Sequence, residues 1–268
     1  MLSRLILALS LLVVPAAATE VDVELMLAVD VSYSMTPNEL EIQRRGYAEA
    51  LRDPAIMEAI ETGYRQKVAL SYVEWSGKTA QRIIVPWTLI ESQADLDRFA
   101  GKLTAEFQPI LRRTSISGVL DFAPLWFEAS DFKGDRRVID VSGDGPNNMG
   151  RPVAQARDAL LAAGFAINGL PLMTREHVGG SWRFHLEDLD LYYQNCVIGG
   201  MASFMIPVKS WEEFPAAVRR KLVLELAGRV PEARIWRAEW RGAQPGGGYD
   251  CLIGEKMWLY FMQNYQEW

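Results

Sequence analysis

Residues 30–35 read "DVSYSM" and follow directly on the apolar run "VDVELMLAV" (21–29). A run this rich in β-branched and apolar residues predicts a strand that becomes buried on both faces, as in a parallel sheet. At its end Asp30, Ser32 and Ser34 occupy alternate positions. "TPNE" (36–39) comes next, with Thr36 as N-cap, Pro37 at the first helical position and Glu39 closing a capping box. A helix is therefore expected from Pro37 to about Arg52. The three side-chain oxygens thus fall in a turn between a strand's carboxyl end and a helix's amino end. Taken alone, Asp-x-Ser-x-Ser is also what a turn capped by its own Asx and Ser side chains looks like.

The same alternation runs outward from this stretch. "KVALSYVEW" (67–75) and "QRIIVPWTL" (81–89) read as strands with a turn at Ser76-Gly77. "ESQADLDRFAGKLTAEF" (91–107) carries Leu96, Phe99 and Leu103 at helical spacing, and "SISGVLDFAPLWFEA" (115–129) predicts a helix broken or kinked at Pro124. "RRVIDVSGDG" (136–145) is a strand ending in small and acidic residues, "RPVAQARDALLAAG" (151–164) a helix ended by Gly164, and "FAINGLPLM" (165–173) a strand. Residues 174–203 read as irregular and "FMIPV" (204–208) as a short strand. "SWEEFPAAVRRKLVLELAG" (210–228) reads as a helix with Ser210 as N-cap and Glu213 completing a capping box. Strands alternating with helices predict an α/β domain, Rossmann-like and doubly wound, with a mostly parallel sheet and helices on both faces. In such sheets ligands sit outside the carboxyl ends of the strands, where the strand order switches.

The chain has 268 residues, 49% hydrophobic and 23% charged, enough to bury a full core. A net charge of −6 and the lack of a Lys/Arg run speak against nucleic acid as a partner. Residues 1–18, "MLSRLILALSLLVVPAAA", have the layout of a secretory signal peptide, with Arg4 ahead of an apolar stretch and small residues at the end. Cleavage before Thr19 is expected, and with it a periplasmic or secreted protein. The apolar stretch is shorter than the ~20 residues that span a bilayer, and no later segment supplies a stable membrane span. The remainder divides into a domain over 19–230 and an aromatic-rich tail over 231–268. "AQPGGG" (243–248) is linker-like, and the tail is expected to pack back on the domain, with partner binding as the alternative. The two cysteines, Cys196 and Cys251, are an even count in an oxidising compartment, which favours a disulfide over two buried thiols.

Two further stretches end in the same kind of turn. Thr114 stands before "SISGVL" at a helix start, and Asp144 lies in "VSGDG" at a strand end. "DVSYSM", "TSISGVL" and "VSGDG", in that order and context, resemble the metal-ion-dependent adhesion site of von Willebrand factor A-like domains. "VALSYVEWSG" resembles a strand of the same fold, and "SGDGPNN", "INGLP" and "YYQNCVIGG" resemble a group of uncharacterised exported bacterial proteins that carry it. The resemblance covers roughly residues 20–228. It implies that Ser32, Ser34 and Thr114 coordinate through hydroxyls and that Asp30 and Asp144 bind directly or through water. Mg²⁺ is the implied ion, with Mn²⁺ or Ca²⁺ as alternatives, since every ligand is oxygen. The implied function is adhesion-type binding, the ion holding a carboxylate of a protein partner.

One departure from the family is Arg112-Arg113, where glycines usually precede the Thr. These arginines either form a positively charged rim for an anionic partner or are simply solvated. The competing class is a Mg²⁺-dependent hydrolase using Asp30 and Asp144 around a metal-bound water. No Gly-x-Ser-x-Gly and no His-Glu-x-x-His occur, and His177 and His185 read as surface residues. The expectation is a binding protein and not an enzyme.

Overall fold

Strand β1 (Thr19–Asp30) lies in the middle of a five-stranded sheet. In this computed structural model, residues 18–103, 113–174, 186–227 and 248–265 are described. The other strands are β2 (Val68–Trp75), β3 (Gln81–Ile90), β4 (Phe132–Gly143) and β5 (Ala166–Pro171), in the order β3-β2-β1-β4-β5. Every pairing is parallel except β2 with β3, which is antiparallel and places β3 at the edge. Pro86 fits there, because an edge strand can lack one donor.

Helices α1 (Pro37–Arg52), α2 (Pro54–Glu61), α3 (Gln93–Leu103) and α7 (Phe214–Leu226) cover one face of the sheet. Helices α4 (Ile116–Glu128) and α5 (Val153–Ala162) cover the other, with α6 (Leu189–Tyr192) running on into a π-helical turn, Tyr193–Val197. The split follows from strand alternation. Val23, Leu25, Leu27 and Val29 of β1 join the first core, while Met26 and Ala28 join the second. A last helix, α8 (Ile253–Tyr265), packs through Ile253 and the preceding Tyr249 and Cys251 on the second core. Among the described residues no helix is long and apolar enough to cross a membrane.

The capping box at Thr36 is present: Glu39 N–H donates to Thr36 Oγ1 at 3.2 Å and Thr36 N–H to Glu39 Oε2 at 2.7 Å. Other expectations need correction. Of the break or kink expected at Pro124, the break does not occur: α4 continues, because burying Ile116, Val119, Leu120, Ala123 and Phe127 against the sheet outweighs one missing backbone hydrogen bond. Residues 204–208 make isolated bridges to β5 and its end and no strand. Pro207 has no N–H to give, and Phe204 N–H is committed to Asn168 Oδ1. Ser210 does not cap α7, whose N-cap is Glu213 with Pro215 in the first turn; the Glu213 carboxylate still accepts from Ser210 N–H, half of a box. The stretch read as irregular contains α6 and its π-helical turn, and α2, started by Asp53 and Pro54, was not anticipated.

Candidate functional site

The switch in strand order lies between β1 and β4, since the chain leaves β1 for β2 on one side and returns to place β4 on the other. Val29 is level with Ser142, so the two strands end together and carry Asp30 and Asp144 to one edge. Gln43 of α1 donates to the Asp30 carbonyl at 2.9 Å and fixes the strand end. Beyond it Ser32 N–H donates to Asp30 Oδ1 at 2.7 Å, turning the chain sharply.

The five side chains meet. Ser32 Oγ and Ser34 Oγ are 2.9 Å apart, Ser34 Oγ donates to Asp144 Oδ1 at 2.8 Å, and Thr114 Oγ1 lies 3.4 Å from Ser32 Oγ. Asp30 is fully buried, and its second oxygen, Oδ2, has no hydrogen-bond partner. A Cβ on Gly143 would stand 2.9 Å from that oxygen and 3.1 Å from the Tyr193 hydroxyl, which is likewise buried without a hydrogen-bond partner. A side chain at this position would push the Asp30 carboxylate aside. Burial pushes the Asp30 carboxyl well above the usual carboxylate range, and the neighbouring Asp144 charge pushes it further in the same direction.

Thr114 is held by its neighbours across the loops. Its N–H donates to Asn148 Oδ1 at 3.0 Å, and Asn148 N–H returns to the Thr114 carbonyl at 2.9 Å. Ser115 caps α4, accepting from Gly118 N–H at 3.1 Å, and donates to the Met149 carbonyl. Asn147 Oδ1 accepts from Ser117 N–H at 2.9 Å. Asn147, Asn148 and Tyr193 were not singled out from the sequence. The pair of asparagines after "SGDGP" was the available signal, being residues that satisfy loop backbone.

Arg113 has φ 96°, a left-handed backbone that favours glycine, at the position where the resembled family has one. Its guanidinium lies 3.4 Å from the centre of the Trp258 ring of α8. Arg112, His177 and His185 lie outside the described residues, as do residues 1–17 of the expected leader and 243–247 of the linker-like stretch. Cys196 and Cys251 are joined in a disulfide, with Cα atoms 5.5 Å apart. Among the described residues no three His, Cys, Asp or Glu side chains cluster as a metal site would. The donors gathered at the sheet edge are two carboxylates and three hydroxyls.

The family described as "Protein of unknown function (DUF1194)" matches residues 20–230. No curated protein sequence matches the chain. Among solved structures, the pilus adhesin SpaC from Lactobacillus rhamnosus GG is similar at 12% identity and a TM-score of 0.56, over 77% of this chain and 31% of SpaC. Proximal thread matrix protein 1 from the mussel byssus, with a zinc-occupied MIDAS motif, is similar at 16% identity and a TM-score of 0.53, over 80% of this chain and 50% of that one. A von Willebrand factor type A protein from Catenulispora acidiphila gives 14% identity and a TM-score of 0.48, over 77% of this chain and 43% of that one. At these identities the likeness to SpaC and to the byssus protein concerns the fold, and the chain spans no more than half the length of the solved proteins named.

Proposed function

From a chain that belongs to the DUF1194 family and has a von Willebrand factor A-like fold, we propose a divalent-cation-dependent, adhesion-type binding protein that works outside the cytoplasm. The observation that carries the proposal is the Asp30 carboxylate, buried beside Asp144 with one oxygen lacking any hydrogen-bond partner. A buried carboxylate with an unpartnered oxygen is costly unless a cation compensates it. Two carboxylates with three hydroxyls form an all-oxygen donor set suited to a hard cation, Mg²⁺ first and Mn²⁺ or Ca²⁺ as alternatives. Asp30, Ser32, Ser34, Thr114 and Asp144 would hold it. When bound, the cation supplies an electrophilic centre that accepts a carboxylate from a partner protein. The chain's own contribution is preorganisation, because the hydrogen bonds from Thr114 through Ser32 and Ser34 to Asp144 keep the donors together.

The adhesin role of SpaC and the zinc-occupied motif of the byssus protein support this reading. The leader-like residues 1–18 support a periplasmic or secreted location. Turnover is not part of the proposal: hydrolysis would need a base beyond the two carboxylates that would hold the cation, and the sequence offers none at the strand ends. The test is capture from an envelope fraction on the immobilised protein. A protein retained in Mg²⁺, released by EDTA and not retained by Asp144→Ala is the expected result. EDTA-sensitive hydrolysis of phosphate esters or peptides, with no such capture, overturns it.

A further inference from the structure

Thr114 and Asp144 come from separate loops, and α8 touches both. Trp258 of α8 lies under the guanidinium of Arg113, the residue directly before Thr114. Glu255 Oε1 of α8 accepts from Asn147 Nδ2 at 2.7 Å, three residues after Asp144. Asn147 is a hub, since its Oδ1 accepts from Ser117 N–H of α4 and its own N–H donates to the Tyr192 hydroxyl at 3.1 Å. The backbone of α8 presses directly on this loop. A Cβ on Gly254 would come within 2.1 Å of the Asn147 carbonyl, so the close approach requires glycine. The start of α8 is tethered to the π-helical turn through Cys251–Cys196, four residues beyond Tyr192.

We propose that α8 is a tethered clamp on the cation site, with Trp258 and Glu255 as positioning residues for the loops that carry Thr114 and Asp144. The inference rests on the cation reading above and assigns the C-terminal helix a role in it. The Arg113 backbone is strained for a residue with a side chain, and such conformations persist only where their surroundings hold them. The ring of Trp258 provides that hold, a cation–π contact at short range. Outer residues that orient metal ligands commonly change metal affinity by 10- to 100-fold when removed. Neither Trp258 nor Glu255 is one of the five donors, so their effect reaches the ion only through loop position.

The experiment is calorimetric titration of Mg²⁺ into the full chain carrying Trp258→Ala, Glu255→Ala, Cys251→Ser or Trp258→Phe. We expect about tenfold weaker binding in the first three and near wild-type binding in Trp258→Phe, which keeps a ring under Arg113. Amide hydrogen exchange in EDTA provides a metal-independent readout, with residues 113–118 and 144–149 exchanging faster in Trp258→Ala while β1 keeps its protection. Wild-type affinity in Trp258→Ala and Glu255→Ala, with unchanged exchange in both loops, overturns the clamp and leaves the cation site standing. A wild type that takes up no Mg²⁺ overturns the site reading itself, and the clamp's role toward the ion with it.

Discussion

Two carboxylate pairs lie close together in this fold, and what stands between them differs. Asp140 of β4 and Glu225 of α7 both contact the ammonium of Lys221, Asp140 at 2.6 Å, and Asn168 donates to Glu225 Oε1 at 2.8 Å. All three charged side chains are buried. Asp30 and Asp144, at the carboxyl edge of the same sheet, are linked through Ser32 and Ser34. The interior pair carries its cation within the chain. Around the edge pair the contacts are hydroxyls, an oxygen donor set suited to a hard cation, and that contrast separates a structural ion cluster from a candidate binding site.

Removing the internal cation should have the largest effect. Lys221→Met leaves two buried carboxylates uncompensated, and chemical denaturation at pH 7 should show a loss of about 3–5 kcal/mol. A loss under 1 kcal/mol would erase the distinction between the two pairs.

The next largest effect is a pH dependence. Burial and the adjacent Asp140 charge push the Glu225 carboxyl up to about 7. Its proton is therefore held in the folded chain at pH values where the unfolded chain releases it. The stability this confers is complete below about pH 4.5 and is lost as pH rises through 7. Between pH 5 and 8 the wild type should lose up to about 3 kcal/mol relative to Glu225→Gln, measured by denaturation at each pH. Parallel profiles for the two proteins would contradict the assignment.

The edge pair should respond in the opposite sense to loss of charge. In EDTA, Asp30→Asn removes the repulsion from Asp144 and the cost of burying a charge, and should raise stability, measured by denaturation. A loss of stability in EDTA would make Asp30 a structural residue like Asp140.

How much of this could be read from the chain depends on the range of the interaction. The Thr36–Glu39 capping box is written within four residues, and α1 forms where it predicts. The two-faced burial of β1 is local as well, and the positions of Asp30, Ser32 and Ser34 follow from it. The disulfide is what the even cysteine count together with the leader-like residues 1–18 leads one to expect. The supports of the site were not legible, because they join residues far apart: Ser117 with Asn147 across 30 positions, Asn147 with Glu255 across 108. Tertiary burial likewise carried α4 through Pro124, and a side chain from β5 took the Phe204 donor that a strand would have used. Lys221 follows Arg219 and Arg220, and nothing within "RRKLVLEL" marks which of the three turns inward to Asp140.

The most direct test of the central claim is calorimetric titration of Mg²⁺ into metal-free wild type and Asp30→Ala, each first shown to melt cooperatively in EDTA. A saturable binding isotherm in the wild type, accompanied by a rise in melting temperature, is predicted, with both responses absent in Asp30→Ala. Equal Mg²⁺ binding by the two proteins would contradict the account and leave "DVSYSM" as a well-capped turn.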